Sequence, residues 1–338
     1  MTTPEHRDLR RQTGDRRDGD ERRAGERRVD REARELAETQ VVIAPGAMPD
    51  PRVDEPPVFP LTARQTTTLV RAALREDGAF DDLTTIATVV SNRRARARMV
   101  FRAAGVVAGL PLAIEAFRQL DAKVALRIDA ADGTRVDGLS PVLLISGHAR
   151  GLLSAERVAL NFVQRLSGIA TLTRRYVDAV RGTRAKILDT RKTTPGWRKL
   201  EKYAVRCGGG TNHRMSLASA VLIKDNHLAA LDGNVALAVK RARKQSPAGM
   251  RIQVECDRLE QVEAALAAGA DELLLDNMSP ALLAECVRMA AGRAVTEASG
   301  GVTLATVRAI AESGVDRISV GALTHSAPAL DVALDFDD

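Results

Sequence analysis

Residues 251–301 read RIQVECDRLEQVEAALAAGADELLLDNMSPALLAECVRMAAGRAVTEASGG, and their rhythm decides the fold. Short apolar runs at 252–255, 272–275 and 294–296 alternate with amphipathic stretches at 259–268 and 281–290. Runs of this length fit buried strands, while the stretches between them place apolar residues at helical spacing. Strand, polar residue and helix in repetition predict parallel strands with crossover helices. Working outward, the pattern continues with strands at 186–189, 221–223 and 317–320 and helices at 235–243 and 304–313. Each strand ends on polar residues or glycine: Thr190-Arg191-Lys192, Lys224-Asp225-Asn226, Glu255, Asp276-Asn277, Glu297-Ala298-Ser299 and Gly321. Barrel enzymes gather their chemistry at the C-terminal ends of their strands, so these residues are expected around one mouth. Six strands instead of eight predict an incomplete α/β barrel over 153–338, opened by an alanine-rich helical region at 155–180 that breaks near Gly168.

The preceding segment differs. Residues 58–152 combine a helix at 62–76, a capped turn at 81–85, strands at 98–110, 124–128 and 142–147, and a helix at 111–120. Without a strand–helix repeat, they predict an open α+β sandwich domain, with the extreme C-terminus packing back on it. Residues 1–57 are expected to be a disordered tail, apart from a short helix near 31–39. Apolar residues are few there, except Val41-Val42-Ile43, and the tail closes on a run of prolines. Residues 1–60 carry twelve arginines against fourteen acids, so the net charge of +6 leaves +8 on the remaining chain.

Composition narrows the classes. Aromatic residues make up 3% of the 338-residue chain, which argues for an aliphatic core and against an aromatic-packed β-sandwich. The absence of a long apolar run excludes a spanning helix, and the charged N-terminus lacks a secretory core. Cys207, Cys256 and Cys286 have no metal-ligand spacing and fit a reducing, cytoplasmic setting. A basic globular part suits nucleic acid or a polyanionic small substrate, and it also suits an ordinary solvated surface. The matched acids of the tail weigh against nucleic acid, where affinity needs uncompensated charge.

The densest chemistry lies between Thr190 and Asn226. Arg191, Lys192, Arg206, His213, Arg214 and Lys224 surround Gly208-Gly209-Gly210, which would let the chain carrying His213 and Arg214 fold over the mouth. Clustered cations are tolerated chiefly where an anion neutralises them, although a solvated loop with salt bridges uses the same residues. Glu255, Asp276 and Glu297 end three successive strands and are expected to raise one another's pKa unless cations intervene. Magnesium suits such a site, since it takes one or two carboxylates plus substrate oxygens. The small residues Glu297-Ala298-Ser299-Gly300-Gly301 and Ser319-Val320-Gly321-Ala322 could offer backbone N–H groups to a phosphate. His148, His227 and His325 lack metal spacing and read as structural or rim residues.

In combination these motifs resemble quinolinate phosphoribosyltransferases over about residues 61–338. The resemblance rests on Thr190–Gly196, Gly208–Arg214, Lys224–His227, Glu255-Cys256-Asp257, Leu275-Asp276-Asn277 and Glu297–Gly301. The runs Glu156–Phe162 and Gln164–Thr171 look like the family's linker helix. Asp82–Thr85 and Gly105–Leu110 fit its N-terminal domain. The resemblance implies a dimer that forms nicotinate mononucleotide, pyrophosphate and carbon dioxide from quinolinate and phosphoribosyl pyrophosphate. It implies that Arg191, His213, Arg214 and Lys224 hold the two pyridine carboxylates, with Arg157 reaching in from the other subunit. Lys192, Glu255 and Asp276 would serve phosphoribosyl pyrophosphate, the acids by way of its hydroxyls and magnesium. Backbone near Ser299, Gly300, Gly321 and Ala322 would cradle its 5′-phosphate. Two alternatives use the same residues less completely: a molybdenum-transport-associated paralogue of the same fold, and a basic nucleic-acid-binding protein.

Overall fold

The computed structural model describes residues 41–44 and 57–337. Its strands are β1 (Val41–Ile43), β2 (Arg94–Phe101), β3 (Gly105–Val106), β4 (Ala125–Ile128), β5 (Arg135–Val136), β6 (Ser140–His148) and β7 (Lys186–Leu188). They continue with β8 (Val221–Ile223), β9 (Ile252–Cys256), β10 (Glu272–Asp276), β11 (Val295–Ser299), β12 (Arg317–Ser319) and β13 (Val332–Phe336).

The second half forms a six-stranded parallel sheet in the order β7-β12-β11-β10-β9-β8. A closed barrel would join β7 to β8, and here those two strands are the edges. An isolated parallel bridge from Leu188 to Thr211 lays other chain along the β7 side of the gap. The crossover helices bury aliphatic and alanine side chains against the sheet, including Val239, Val262, Ala265, Leu283 and Val307. The fold is thus an incomplete α/β barrel, as its strand rhythm predicts.

A 31-residue helix, Ala149–Ala179, leads into the barrel without a break. The expected interruption at Gly168 does not occur. Glycine there serves a close approach, because a Cβ would collide with the Pro328 carbonyl. Next to it, the Ser167 hydroxyl donates to the Ala108 carbonyl at 3.1 Å and accepts the Ala108 N–H at 3.0 Å.

The remaining main sheet has the order β1-β4-β6-β2-β13. Its middle is antiparallel, with β6 between β4 and β2, and β13 returns from the C-terminus to pair antiparallel with β2. The strand expected over 98–110 starts earlier and divides into β2 and β3, and the following helix starts at Leu110. Asp132 fixes that start by accepting the N–H groups of Gly109 at 2.8 Å and Leu110 at 3.1 Å.

At the opposite edge, Val41–Ile43 pairs parallel with β4, which corrects the expectation of disorder throughout 1–57. Three consecutive β-branched residues suit an edge strand, and Val41 packs on the core. The helix expected near 31–39 and the rest of the tail lie outside the described residues. Among the described residues, no helix is long and apolar enough to cross a membrane.

Candidate active site

The strand ends of the parallel sheet surround a cavity of about 590 Å³ with walls of opposite charge. Arg191, Lys192, His213, Arg214 and Lys224 form its cationic wall and Glu255, Asp276 and Glu297 its acidic wall. The two meet where Lys224 Nζ lies 3.4 Å from Glu255 and His213 Nε2 lies 3.4 Å from Glu297.

Sheet register builds the acidic wall. Leu274 is the partner of Glu255 on one side and of Glu297 on the other, so three neighbouring strands carry level residues. Asp276 pairs with Ser299 two residues nearer the mouth. Side chains two apart share a face of a strand, which brings all of these to the same cavity.

The carboxyls do not share one electrostatic state. Burial pushes the Glu255 carboxyl up, Lys224 opposes that shift, and Asp276 adds to it. Glu255 Oε2 lies 3.4 Å from Lys224 Nζ, yet it makes no hydrogen bond among the described residues. Glu297 is fully buried, which disfavours its charge, but its neighbours outweigh that cost. The hydrogen bond of His213, then those of Ser319 and Gln253, hold Glu297 below the usual carboxylate value. Ser319 Oγ donates at 2.6 Å and Gln253 Nε2 at 2.9 Å, while His213 Nε2 lies at 3.4 Å. Of the three carboxylates, Glu255 is raised with Asp276 contributing, whereas Glu297 is held ionised by its donors and belongs with His213.

The cationic wall stands on connections between strands. Arg191 and Lys192 follow β7. His213 and Arg214 come after the helix Arg198–Cys207, which places them beside the open gap. The Arg214 N–H donates to His213 Nδ1 at 2.7 Å, so the ring proton sits on Nε2 and faces Glu297. Burial lowers the pKa of Arg214, and the charge of Arg191 lowers it further. Arg191 Nε is buried without a hydrogen-bond partner among the described residues. Two neighbouring guanidiniums, one with a buried donor that makes no hydrogen bond among the described residues, suit an anion such as a carboxylate. Lys224 is held through its backbone, whose N–H donates to His227 Nδ1 at 2.9 Å.

At the mouth of β10 and β11, Asn277 adopts φ 55° and Gly300 φ 90°. A Cβ on Gly300 would lie 2.9 Å from the Asn277 nitrogen and closer still to its side chain, so only glycine lets these two ends meet. Ser299, Gly300 and Gly301 line the cavity, whereas Gly321 and Ala322 stand outside its lining. Gly321 instead packs beside Lys192, whose Cδ would lie 3.1 Å from an added Cβ. Arg157 is exposed on the long helix and does not line this cavity within its own chain.

Sequence reasoning missed the helix Arg198–Cys207 and its neighbours Asp189, Glu201 and Lys202. A signal was present: Leu200, Tyr203, Ala204 and Cys207 recur at helical spacing, and all are buried. Gln253 was also missed, because a polar residue inside a strand carries no functional signal of its own. Among the described residues, no three His, Cys, Asp or Glu side chains group to hold a metal, and the three cysteines are free and buried.

The comparisons with known proteins agree over most of the chain. Residues 82–167 match the N-terminal domain of quinolinate phosphoribosyl transferase, and residues 169–335 match its C-terminal domain. The nicotinate-nucleotide pyrophosphorylase [carboxylating] of Mycobacterium leprae is 46% identical over 275 residues, spanning 79% of this chain and 95% of that protein. A probable enzyme of the same name from Bacillus subtilis is 42% identical over 77% of this chain and 89% of its own length. The solved nicotinate-nucleotide pyrophosphorylase of Francisella tularensis superposes with a TM-score of 0.77 at 38% identity, covering 82% of this chain and 99% of that one.

Proposed function

The chain belongs to the quinolinate phosphoribosyltransferase family, and from that premise we propose how its two walls divide the work. The reaction joins quinolinate to phosphoribosyl pyrophosphate and yields nicotinate mononucleotide, pyrophosphate and carbon dioxide, a step in NAD biosynthesis. The observation that carries the assignment is the gathering of these cations and carboxylates around one cavity at the strand ends. A planar dicarboxylate fits the guanidiniums of Arg191 and Arg214 with Lys224 and the Nε2–H of His213. A sugar carrying phosphates fits the acids, Lys192 and the small residues.

Glu255 and Asp276 bind ribose hydroxyls in this reading, Lys192 meets the pyrophosphate, and backbone around Ser299 and Gly300, with Gly321 and Ala322, receives the 5′-phosphate. The bond from ribose C1 to pyrophosphate breaks as the pyridine nitrogen bonds to C1. The departing oxygen keeps the electron pair. The nitrogen carries no proton to remove, so no nucleophilic Ser or Cys and no general base is needed for this step. Fixed charges do the work: the cations orient the dicarboxylate, and the carboxylates favour a positive ribose C1. The C2 carboxylate then leaves as carbon dioxide. Its electron pair stays on C2 beside the pyridinium nitrogen, and a proton from solvent completes the product.

Two carboxylates at the ends of adjacent strands, one with a buried oxygen that makes no hydrogen bond among the described residues, suit magnesium, which takes one or two carboxylates plus substrate oxygens. Held by Glu255 and Asp276 directly or through water, with substrate oxygens, it would supply positive charge to the departing pyrophosphate. We place the protein in the cytoplasm, since its three cysteines are buried and unpaired. We also propose a two-fold dimer in which the exposed Arg157 enters the partner's carboxylate pocket.

Incubation with quinolinate, phosphoribosyl pyrophosphate and magnesium should release carbon dioxide and nicotinate mononucleotide in equal amounts. Nicotinate mononucleotide formed from nicotinate, without carbon dioxide, would contradict the substrate assignment. The dimer has its own test. Arg157→Ala and Asp276→Ala should each be nearly inactive, and mixed dimers regain one working site of two. Random reassociation should return about a quarter of wild-type activity. No recovery despite mixed dimers in mass spectrometry removes the role in trans.

A further inference from the structure

We propose that Glu201 and Lys202, adjacent on the helix Arg198–Cys207, are positioning residues that separately fix the two arms of the cationic wall. Consecutive helical residues point about 100° apart, so one helix can brace two segments. Glu201 is 0% exposed, Lys202 1% and Asp189 0%, so none of their charges faces solvent.

Glu201 braces the arm that carries Lys192. Its carboxylate accepts the Thr194 hydroxyl at 2.8 Å and the Thr194 N–H at 3.1 Å, and it receives Arg165 Nη2 at 2.9 Å. Arg165 also donates to the Thr324 carbonyl at 2.6 Å, and the Thr324 hydroxyl donates to the Lys192 carbonyl at 2.7 Å. The turn after β7 is thereby tied at both ends to buried groups.

Lys202 braces the arm that carries His213 and Arg214. Its ammonium donates to Asp189 and, at 3.0 Å, to the His213 carbonyl. Asp189 accepts the His213 N–H at 2.9 Å and Asn212 Nδ2 at 2.6 Å. Both backbone polar groups of His213 are therefore bound by one buried ion pair. In a closed barrel, pairing between β7 and β8 would order this part of the wall; across the open gap, side chains take over. A buried ion pair recovers little net stability compared with apolar residues of similar volume. Its gain here is geometric: the next side chain on one side is the Arg214 guanidinium, and the imidazole is left facing Glu297.

The proposal rests on the assignment of the dicarboxylate to Arg191, His213 and Arg214 and of the pyrophosphate to Lys192. Its test is the KM of each substrate, with thermal midpoints, for Glu201→Gln, Lys202→Met and the double variant Asp189→Asn/Lys202→Met. The double variant leaves no stranded charge, so it should fold even where Lys202→Met alone does not, and its midpoint should lie near wild type. Its quinolinate KM should rise roughly tenfold or more, the scale at which small misplacements of binding groups are felt. Its phosphoribosyl pyrophosphate KM should stay within about threefold of wild type. Glu201→Gln should raise the phosphoribosyl pyrophosphate KM, which the double variant spares, and the quinolinate KM with it, because Arg191 and Lys192 share the turn it braces. A phosphoribosyl pyrophosphate KM that rises in the double variant, either variant leaving both KM values unmoved, or changes that merely track lost thermal stability would overturn separate positioning. A wild-type protein that turns over neither substrate would remove the reading of the site and this proposal with it.

Discussion

The two walls of the cavity are built by different means. Glu255, Asp276 and Glu297 owe their places to strand register, which the backbone enforces residue by residue. Arg191, His213 and Arg214 lie on connections across the open side of the sheet, held by side chains from a helix. The acidic wall is therefore part of the scaffold, while the cationic wall depends on a buried polar network. Substitutions should strike the two walls differently, in ligand affinity and in stability.

The largest effect is expected at the cationic wall. Arg191→Ala should weaken quinolinate binding by about 2–5 kcal/mol, the range for truncating one partner of a buried charged contact. Titration calorimetry on the binary complex measures this, and an unchanged affinity would detach Arg191 from the carboxylates.

Next comes Glu297→Gln, which should cost about 1–3 kcal/mol of stability at pH 7 because it places an amide among donors arranged for a carboxylate. The sign with pH is fixed by the lowered pKa. The contribution of Glu297 is full above its ordinary value of 4.5 and is lost as pH falls through the lower folded value. Denaturant titrations should show the gap between wild type and variant narrowing below about pH 4.5. A gap independent of pH would mean that shape, and not charge, links Glu297 to His213.

Glu255 should behave in the opposite way. Its folded pKa is raised, so ionisation there costs stability at neutral pH. Glu255→Gln should stabilise the protein by about 1 kcal/mol while impairing catalysis, the usual exchange at a functional site. Destabilisation in thermal melts would instead make Glu255 a structural partner of Lys224.

The smallest effects should come from the N-terminal segment. Deleting residues 1–40 should leave stability within about 0.5 kcal/mol of wild type. Deleting 1–57 removes β1, exposes the edge of β4 and should cost about 1 kcal/mol or less, with both KM values unchanged. A shift in either KM would tie the tail to the site.

What the sequence made legible follows the same division. The alternation of apolar runs and amphipathic stretches located the six parallel strands, and polar residues at their ends located Glu255, Asp276 and Glu297. Register needs only a period of two, which a single sequence displays. The cations were recognised as a cluster, but nothing local says what holds them. Glu201 and Lys202 interrupt the apolar pattern of their helix with charges, and their partners lie elsewhere in the chain at Arg165 and Asp189. Gly168 misled for a related reason: its Cα faces the Pro328 carbonyl across the fold, a contact with no trace in helical propensity. Val41–Ile43 lies in a charged, proline-bounded stretch whose composition outweighed three β-branched residues.

The most direct measurement of the division between the walls is the KM of both substrates in Arg191→Ala and Glu255→Gln, taken side by side. A crossed pattern is expected: Arg191→Ala raises the quinolinate KM and spares that of phosphoribosyl pyrophosphate, and Glu255→Gln does the reverse. If each variant raises both KM values by the same factor, the walls act as one site and the division fails.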